Sequence, residues 1–109
     1  MKNETDTFPV SVVKLNQHKD AVAICRGTTL GNPFNMYNDE KNRNKVCDQY
    51  EEYFNKKVAD NDLIFTTELA RLTQITIEKG YIKLGCFCSP KRCHGDTIKR
   101  FLDKVLNLR

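Results

Sequence analysis

Between Ile82 and Asp96 a strand-like run, Ile82-Lys83-Leu84-Gly85, passes through Cys86-Phe87-Cys88-Ser89-Pro90-Lys91-Arg92-Cys93-His94-Gly95-Asp96 into a segment with helical apolar spacing. A strand feeding a helix in this way is a building unit of α/β sheets. It sets three thiols, an imidazole and a carboxylate at the carboxyl end of a strand and the amino terminus of a helix. Open α/β sheets bind ligands at that edge, and helix amino termini attract anions.

The rest of the chain supplies partners for this unit. Val10 to Leu15 and Ala21 to Cys25 are β-branched runs separated by a polar turn around Asn16 to Asp20, which predicts two short strands. Arg26 to Phe34 is a loop containing Gly27, Gly31 and Pro33, with Asn32 held extended or turn-like because it precedes proline. Val46, Tyr50, Phe54 and Val58 recur at helical spacing, with Tyr53 beside them, and predict an amphipathic helix over about 42–58. Asn61 or Asp62 can cap a second helix that presents Phe65, Leu69, Leu72 and Ile75 or Thr76 on one face and stops at Gly80. A strand over about 81–88 follows, then a helix from near Gly95 to Leu106 that buries Ile98, Phe101, Leu102 and Val105. This order predicts a small single α/β domain, about three strands flanked by helices, like half of a Rossmann-type nucleotide-binding domain. A chain of 109 residues supports one core and not two, and residues 1–8 are expected to be a flexible N-terminal segment.

Composition narrows the function classes. No apolar run approaches the ~20 residues of a membrane helix, and the polar start has no signal-peptide core, so a cytoplasmic protein is expected. The five cysteines are then expected to be reduced, and an odd number cannot pair completely within one chain. The net charge of +4 is spread along the chain without a dense basic face. That favours a local anion site over a nucleic-acid surface.

The two loops that end the second and third strands are expected to face one another across a pocket. One reading is an anion or nucleotide site. Arg26 would supply a planar fork for phosphate, Asn32 an amide, Gly31 and Gly95 close backbone approach, and Cys88 part of the wall, with Phe34, Tyr37 or Phe87 stacking on a base. A catalytic reading makes Asp96 or His94 a general acid or base, with Cys88 or Cys93 as nucleophile. The plainer alternative makes Asp96 a first-turn carboxylate and His94 a hydrogen-bonded cap. A zinc site would use Cys86, Cys88, Cys93 and His94, but Cys-x-Cys and adjacent Cys-His depart from the usual spacing of ligand pairs, so zinc is not favoured. On an extended strand Cys86 and Cys88 share a face, whereas Cys93 and His94 would point apart. Cys47 reads as a small buried hydrophobe and His18 as a surface residue in a polar turn.

Cys25-Arg26-Gly27-Thr28-Thr29-Leu30-Gly31-Asn32-Pro33-Phe34, then Arg43 with Tyr50 and Tyr53, then Cys86-x-Cys88-x-Pro90-x-x-Cys93-His94-Gly95-Asp96, together resemble an uncharacterised-domain family of small phage and bacterial proteins. The resemblance runs from about Val12 to Leu102 and implies one fold for the whole segment. Its members are of unknown function, and the frequency of phage members implies, by analogy, nucleotide metabolism or the countering of host defence in the host cytoplasm. Cys25 departs from the family's usual small or polar residue there, and the segment from Asp60 to Lys83 is longer. The expected function is binding of a nucleotide or nucleotide-derived small molecule between the two loops, with processing or sequestration to follow. The alternative is an interaction protein, with or without structural zinc, that binds a host factor.

Overall fold

The computed structural model describes residues 9–36, 39–88 and 91–107. The expectation for residues 1–8, the stacking role of Tyr37 and the Ser89-Pro90 step of the second loop lie outside them.

Among the described residues three strands form one parallel sheet: β1 (Val10–Lys14), β2 (Val22–Ala23) and β3 (Ile82–Cys86). The spatial order is β1-β3-β2, so the last strand in sequence is the central one. Val10 lies beside Ile82, Val12 beside Leu84 and Lys14 beside Cys86, while Val22 and Ala23 lie beside Leu84 and Gly85. The Ile24 N–H extends the second ladder to the Gly85 carbonyl at 2.9 Å. β2 is shorter than its β-branched run because a turn begins at Cys25. Both the N–H and the hydroxyl of Thr28 donate to the Cys25 carbonyl, at 3.0 and 2.7 Å.

β1 and β2 sit on opposite sides of β3, so the connection Leu15 to Ala21, opening with a 3-10 turn over Leu15–Gln17, must cross the central strand. Gly85 makes the crossing possible. A Cβ there would lie 2.6 Å from Leu15 Cδ1 and 3.0 Å from Ala21 Cβ.

The helices are α1 (Arg43–Ala59), α2 (Leu63–Lys79) and α3 (Gly95–Asn107). Asp62 caps α2 by accepting the Phe65 N–H at 3.0 Å, and Gly80, at φ 85°, ends it in a left-handed turn that glycine adopts without a Cβ penalty. α1 buries Val46, Cys47, Tyr50 and Phe54, and α2 buries Phe65, Leu69, Leu72 and Thr76, as their spacing predicts. On α3 the buried apolar side chains are Ile98, Leu102 and Leu106, whereas Phe101 and Val105 are half-buried at the edge of the stripe.

One core joins the sheet to the helices. Val10, Ile24, Ile82, Leu84 and Cys86 meet Tyr50, Phe54, Phe65, Leu72, Ile98 and Leu102. Phe54 is the centre of an aromatic cluster, with ring centroids 5.3 Å from Phe65 and 5.5 Å from Phe101, both edge-on. Each buried side chain of this size contributes about 1.5–3 kcal/mol through removal of apolar surface from water. Among the described residues no helix is long and apolar enough to cross a membrane.

Candidate functional site

A cavity of about 320 Å³ opens at the carboxyl ends of β2 and β3. The loop after β2 contributes Cys25, Arg26, Asn32 and Phe34 to its wall. The end of β3 and the approach to α3 contribute Cys86, Phe87, Cys88, Arg92, Cys93 and His94, and α1 adds Arg43, Val46 and Cys47. The two loops therefore face each other, as parallel neighbouring strands require when both end at the same sheet edge. All five cysteines of the chain line this one cavity.

The first loop is shaped by its own side chains. Asn32 accepts the Phe34 N–H on Oδ1 at 2.8 Å and donates from Nδ2 to the Val46 carbonyl at 3.3 Å, so its amide fastens the loop to the first turn of α1. Arg26 donates to the carbonyls of Pro33 (3.4 Å) and Phe34 (2.9 Å), and no ion pair among the described residues involves it. Gly31 does not line the cavity. A Cβ there would stand 2.4 Å from the Cys25 carbonyl oxygen, so the close approach that glycine permits is of the loop to its own backbone. Behind the loop, the buried Tyr50 hydroxyl donates to the Leu30 carbonyl at 2.8 Å.

In the second loop His94 lines the cavity but donates from Nε2 to the Ile24 carbonyl, with its ring edge-on to Tyr50 at 5.0 Å. A neutral ring donating there carries its proton on Nε2 and leaves Nδ1 as an acceptor. Burial is the main cause that lowers the His94 pKa below the usual 6.5, opposed by the Ile24 contact and Asp96, so the ring is neutral at pH 7. Asp96 lies off the cavity. It occupies the first turn of α3, and its carboxylate accepts the Cys93 N–H at 3.3 Å. Gly95 is also off the cavity, packed where a Cβ would meet Ile24 Cδ1 at 3.0 Å and Val12 Cγ1 at 3.1 Å. Cys93 and His94 take different partners, as adjacent residues would, yet both reach the same wall. Cys93 Sγ sits 2.9 Å from Cys86 Sγ and accepts the Gly95 N–H at 3.3 Å. The shared hydrogen bond with Cys86, together with burial, pushes the Cys93 thiol far above its usual range.

Arg43 is the organiser that spacing alone did not assign. Its guanidinium forms a bidentate pair with Glu40, at 2.9 and 2.6 Å, and donates to the Arg92 carbonyl at 2.9 Å. The Glu40 pair is the main cause that raises the Arg43 pKa and holds the Glu40 carboxyl at about 2. Arg92 in turn reaches Asp48 at 2.8 Å and the Asn44 side chain at 3.0 Å. α1 thus fixes the second loop through two arginines whose charge is already met by carboxylates, whereas among the described residues Arg26 bonds only to carbonyls.

Among the described residues no three His, Cys, Asp or Glu side chains converge tightly enough to hold a metal ion. Cys86, Cys88, Cys93 and His94 share a wall, but His94 turns its Nε2 to the Ile24 carbonyl and Cys86 and Cys93 bond to each other.

The segment carrying both loops, the organising arginine and the closing helix is matched by the profile of one family over residues 11–104. The chain belongs to the family described as domain of unknown function DUF4326. In this DUF4326 domain the matched region runs from β1 into α3 and includes every residue that lines the cavity. No match was found among curated proteins or among solved structures.

Proposed function

We propose that this domain binds a nucleotide or nucleotide-derived small molecule in the cavity between its two loops and holds it without acid–base turnover. The observation that carries the reading is the convergence of both loops on one cavity of about 320 Å³ at the sheet's carboxyl edge, with Arg26 on its wall. Small-molecule sites occupy roughly 300–1,000 Å³. A phosphate would exchange the two neutral carbonyl partners of Arg26 for a charge-assisted fork. Phe34 and the exposed Phe87 offer ring faces at the same cavity. Binding is favoured over catalysis because Asp96 stands off the cavity and the Nε2 proton of His94 is engaged. A cytoplasmic, phage–host setting in which such a molecule is sequestered follows from the family resemblance by analogy.

Titration calorimetry in reducing buffer against nucleoside mono-, di- and triphosphates and nucleotide sugars, with inorganic phosphate as the control, tests the reading. The expected result is one site per chain, weakened about 10- to 150-fold by Arg26→Ala, as loss of a charge-assisted contact of about 1.5–3 kcal/mol requires. A wild type that binds none of the panel removes the proposal. The interaction-protein alternative draws on Leu63 and Ile64, 77% and 72% exposed at the start of α2. It gains if the panel fails and Leu63→Asp abolishes binding to a host protein.

A further inference from the structure

The cavity gathers every thiol of the chain, and the contacts of Arg26, His94 and Asp96 engage no sulfur. Two of them are already together. Cys86 ends β3, Cys93 precedes α3, and their sulfurs lie 2.9 Å apart in a hydrogen bond in which either can be the donor. Both are nearly closed to bulk solvent, at 2% and 4% exposed, yet both line the cavity, so the route to them runs through it. The Gly95 N–H donates to Cys93 Sγ at 3.3 Å and supports charge on that sulfur when its proton leaves.

We propose that Cys86 and Cys93 are a modification site: a dithiol that converts reversibly to an intramolecular disulfide by exchange with a low-molecular-weight disulfide admitted to the cavity. One sulfur of the pair gives its proton to solvent, its charge held by the S–H of the other, and attacks one sulfur of the small disulfide R–S–S–R. That S–S bond breaks, a mixed disulfide forms on the attacking cysteine, and the departing thiolate takes up a proton. The sulfur of the second cysteine, losing its own proton, then attacks the first cysteine's sulfur and expels the second R–S group as a thiol. The net exchange is one protein dithiol and one small disulfide giving one protein disulfide and two small thiols, with two electrons passing to the small disulfide. Intracellular disulfides, where they form, are mostly transient and redox-sensing, which suits a pair at a ligand cavity better than a structural staple. The sulfurs already lie close, so bond formation asks for little backbone movement. The site stands whether or not a nucleotide is the cavity's ligand.

The test uses the whole chain with hydroxyethyl disulfide at pH 8, followed by alkylation of remaining thiols, trypsin digestion and mass spectrometry. Lys91 and Arg92 lie between the two cysteines, so trypsin separates them unless a disulfide joins them. The expected product is a linked pair of peptides two hydrogens lighter than the separate ones, with fragmentation assigning the bond to Cys86 rather than Cys88, and reversal by dithiothreitol. Closing the ring should also raise the melting temperature by about 5 °C or more. Cys25→Ser/Cys47→Ser/Cys88→Ser, which keeps only the proposed pair, should form the same link. Mixed disulfides confined to Cys25 or Cys88, or a link between Cys88 and Cys93 with Cys86 alkylated, would overturn the assignment. So would a Cys86 and Cys93 that stay fully alkylatable in both proteins.

Discussion

His94 donates from Nε2 to the carbonyl oxygen of Ile24, which ties the approach to α3 to the end of β2 and closes the cavity between the two loops. That bond needs only one ring proton, and burial opposes the second.

Acidification should therefore loosen the domain. The folded-state pKa of His94 is lowered, so below the unfolded value of 6.5 the unfolded chain binds a proton that the folded chain does not. The stability contributed by the neutral ring is fully present above pH 6.5 and is lost as pH falls from there towards the folded pKa. Thermal melts from pH 7.5 to 5.5 should show a falling midpoint, and His94→Gln, which keeps an N–H donor but cannot titrate, should flatten the decline. An equal slope in both proteins would exclude His94 as its source.

Gly31→Ala should destabilise by about 1–3 kcal/mol, since the new methyl would stand 2.4 Å from the Cys25 carbonyl oxygen, a backbone atom that cannot rotate away. Urea denaturation should show a lower midpoint at unchanged slope. If the midpoint stays put, the loop is looser than its Cys25 and Thr28 contacts imply.

Much of this arrangement was legible in the sequence, because strongly periodic or capped segments leave few alternatives. Val46, Tyr50 and Phe54, the Asp62 cap and the Gly80 stop define two helices, and a strand entering Gly95 defines the third. Strand order was not legible, since pairing of β3 between β1 and β2 depends on the Leu15 to Ala21 crossing and on space over Gly85. The convergence of the two loops followed from their place after parallel strands, but the direction of each side chain did not. Asn32 and Arg26 turn back to their own loop or to α1, Gly31 and Asp96 meet backbone groups, and Gly95 packs against Ile24 and Val12 away from the cavity. Arg43 could be located but not given a task, because the Arg92 carbonyl it holds lies 49 residues further along the chain.

Arg43→Met keeps the apolar stem and removes every guanidinium contact. It should cost about 1.5–3 kcal/mol, the range for hydrogen bonds to a charged group, because the half-buried head is bonded to both Glu40 and the Arg92 carbonyl. Hydrogen exchange should speed up around Cys86 to Cys93 more than in α2. Uniform acceleration across the chain would show that Arg43 supports the whole fold rather than the second loop.

Chelation by EDTA should leave the melting temperature unchanged within about 1 °C, because Cys86 and Cys93 bond to each other and His94 to the Ile24 carbonyl, and among the described residues no three such groups close around an ion. A drop of many degrees, restored by stoichiometric zinc, would show that the thiols at the cavity take up a metal.

The central place of β3 also sets a schedule for biosynthesis. As the chain leaves the ribosome, Val10–Lys14 and Val22–Ala23 emerge early, but the strand that both must pair with is Ile82–Cys86. The helical hairpin of α1 and α2 can gather its local contacts meanwhile, whereas the sheet must wait for nearly the whole domain and close long loops when it forms. A nascent chain arrested before Ile82 carries both outer strands and no sheet. The cavity, which needs the ends of β2 and β3 side by side, is therefore among the last features to exist.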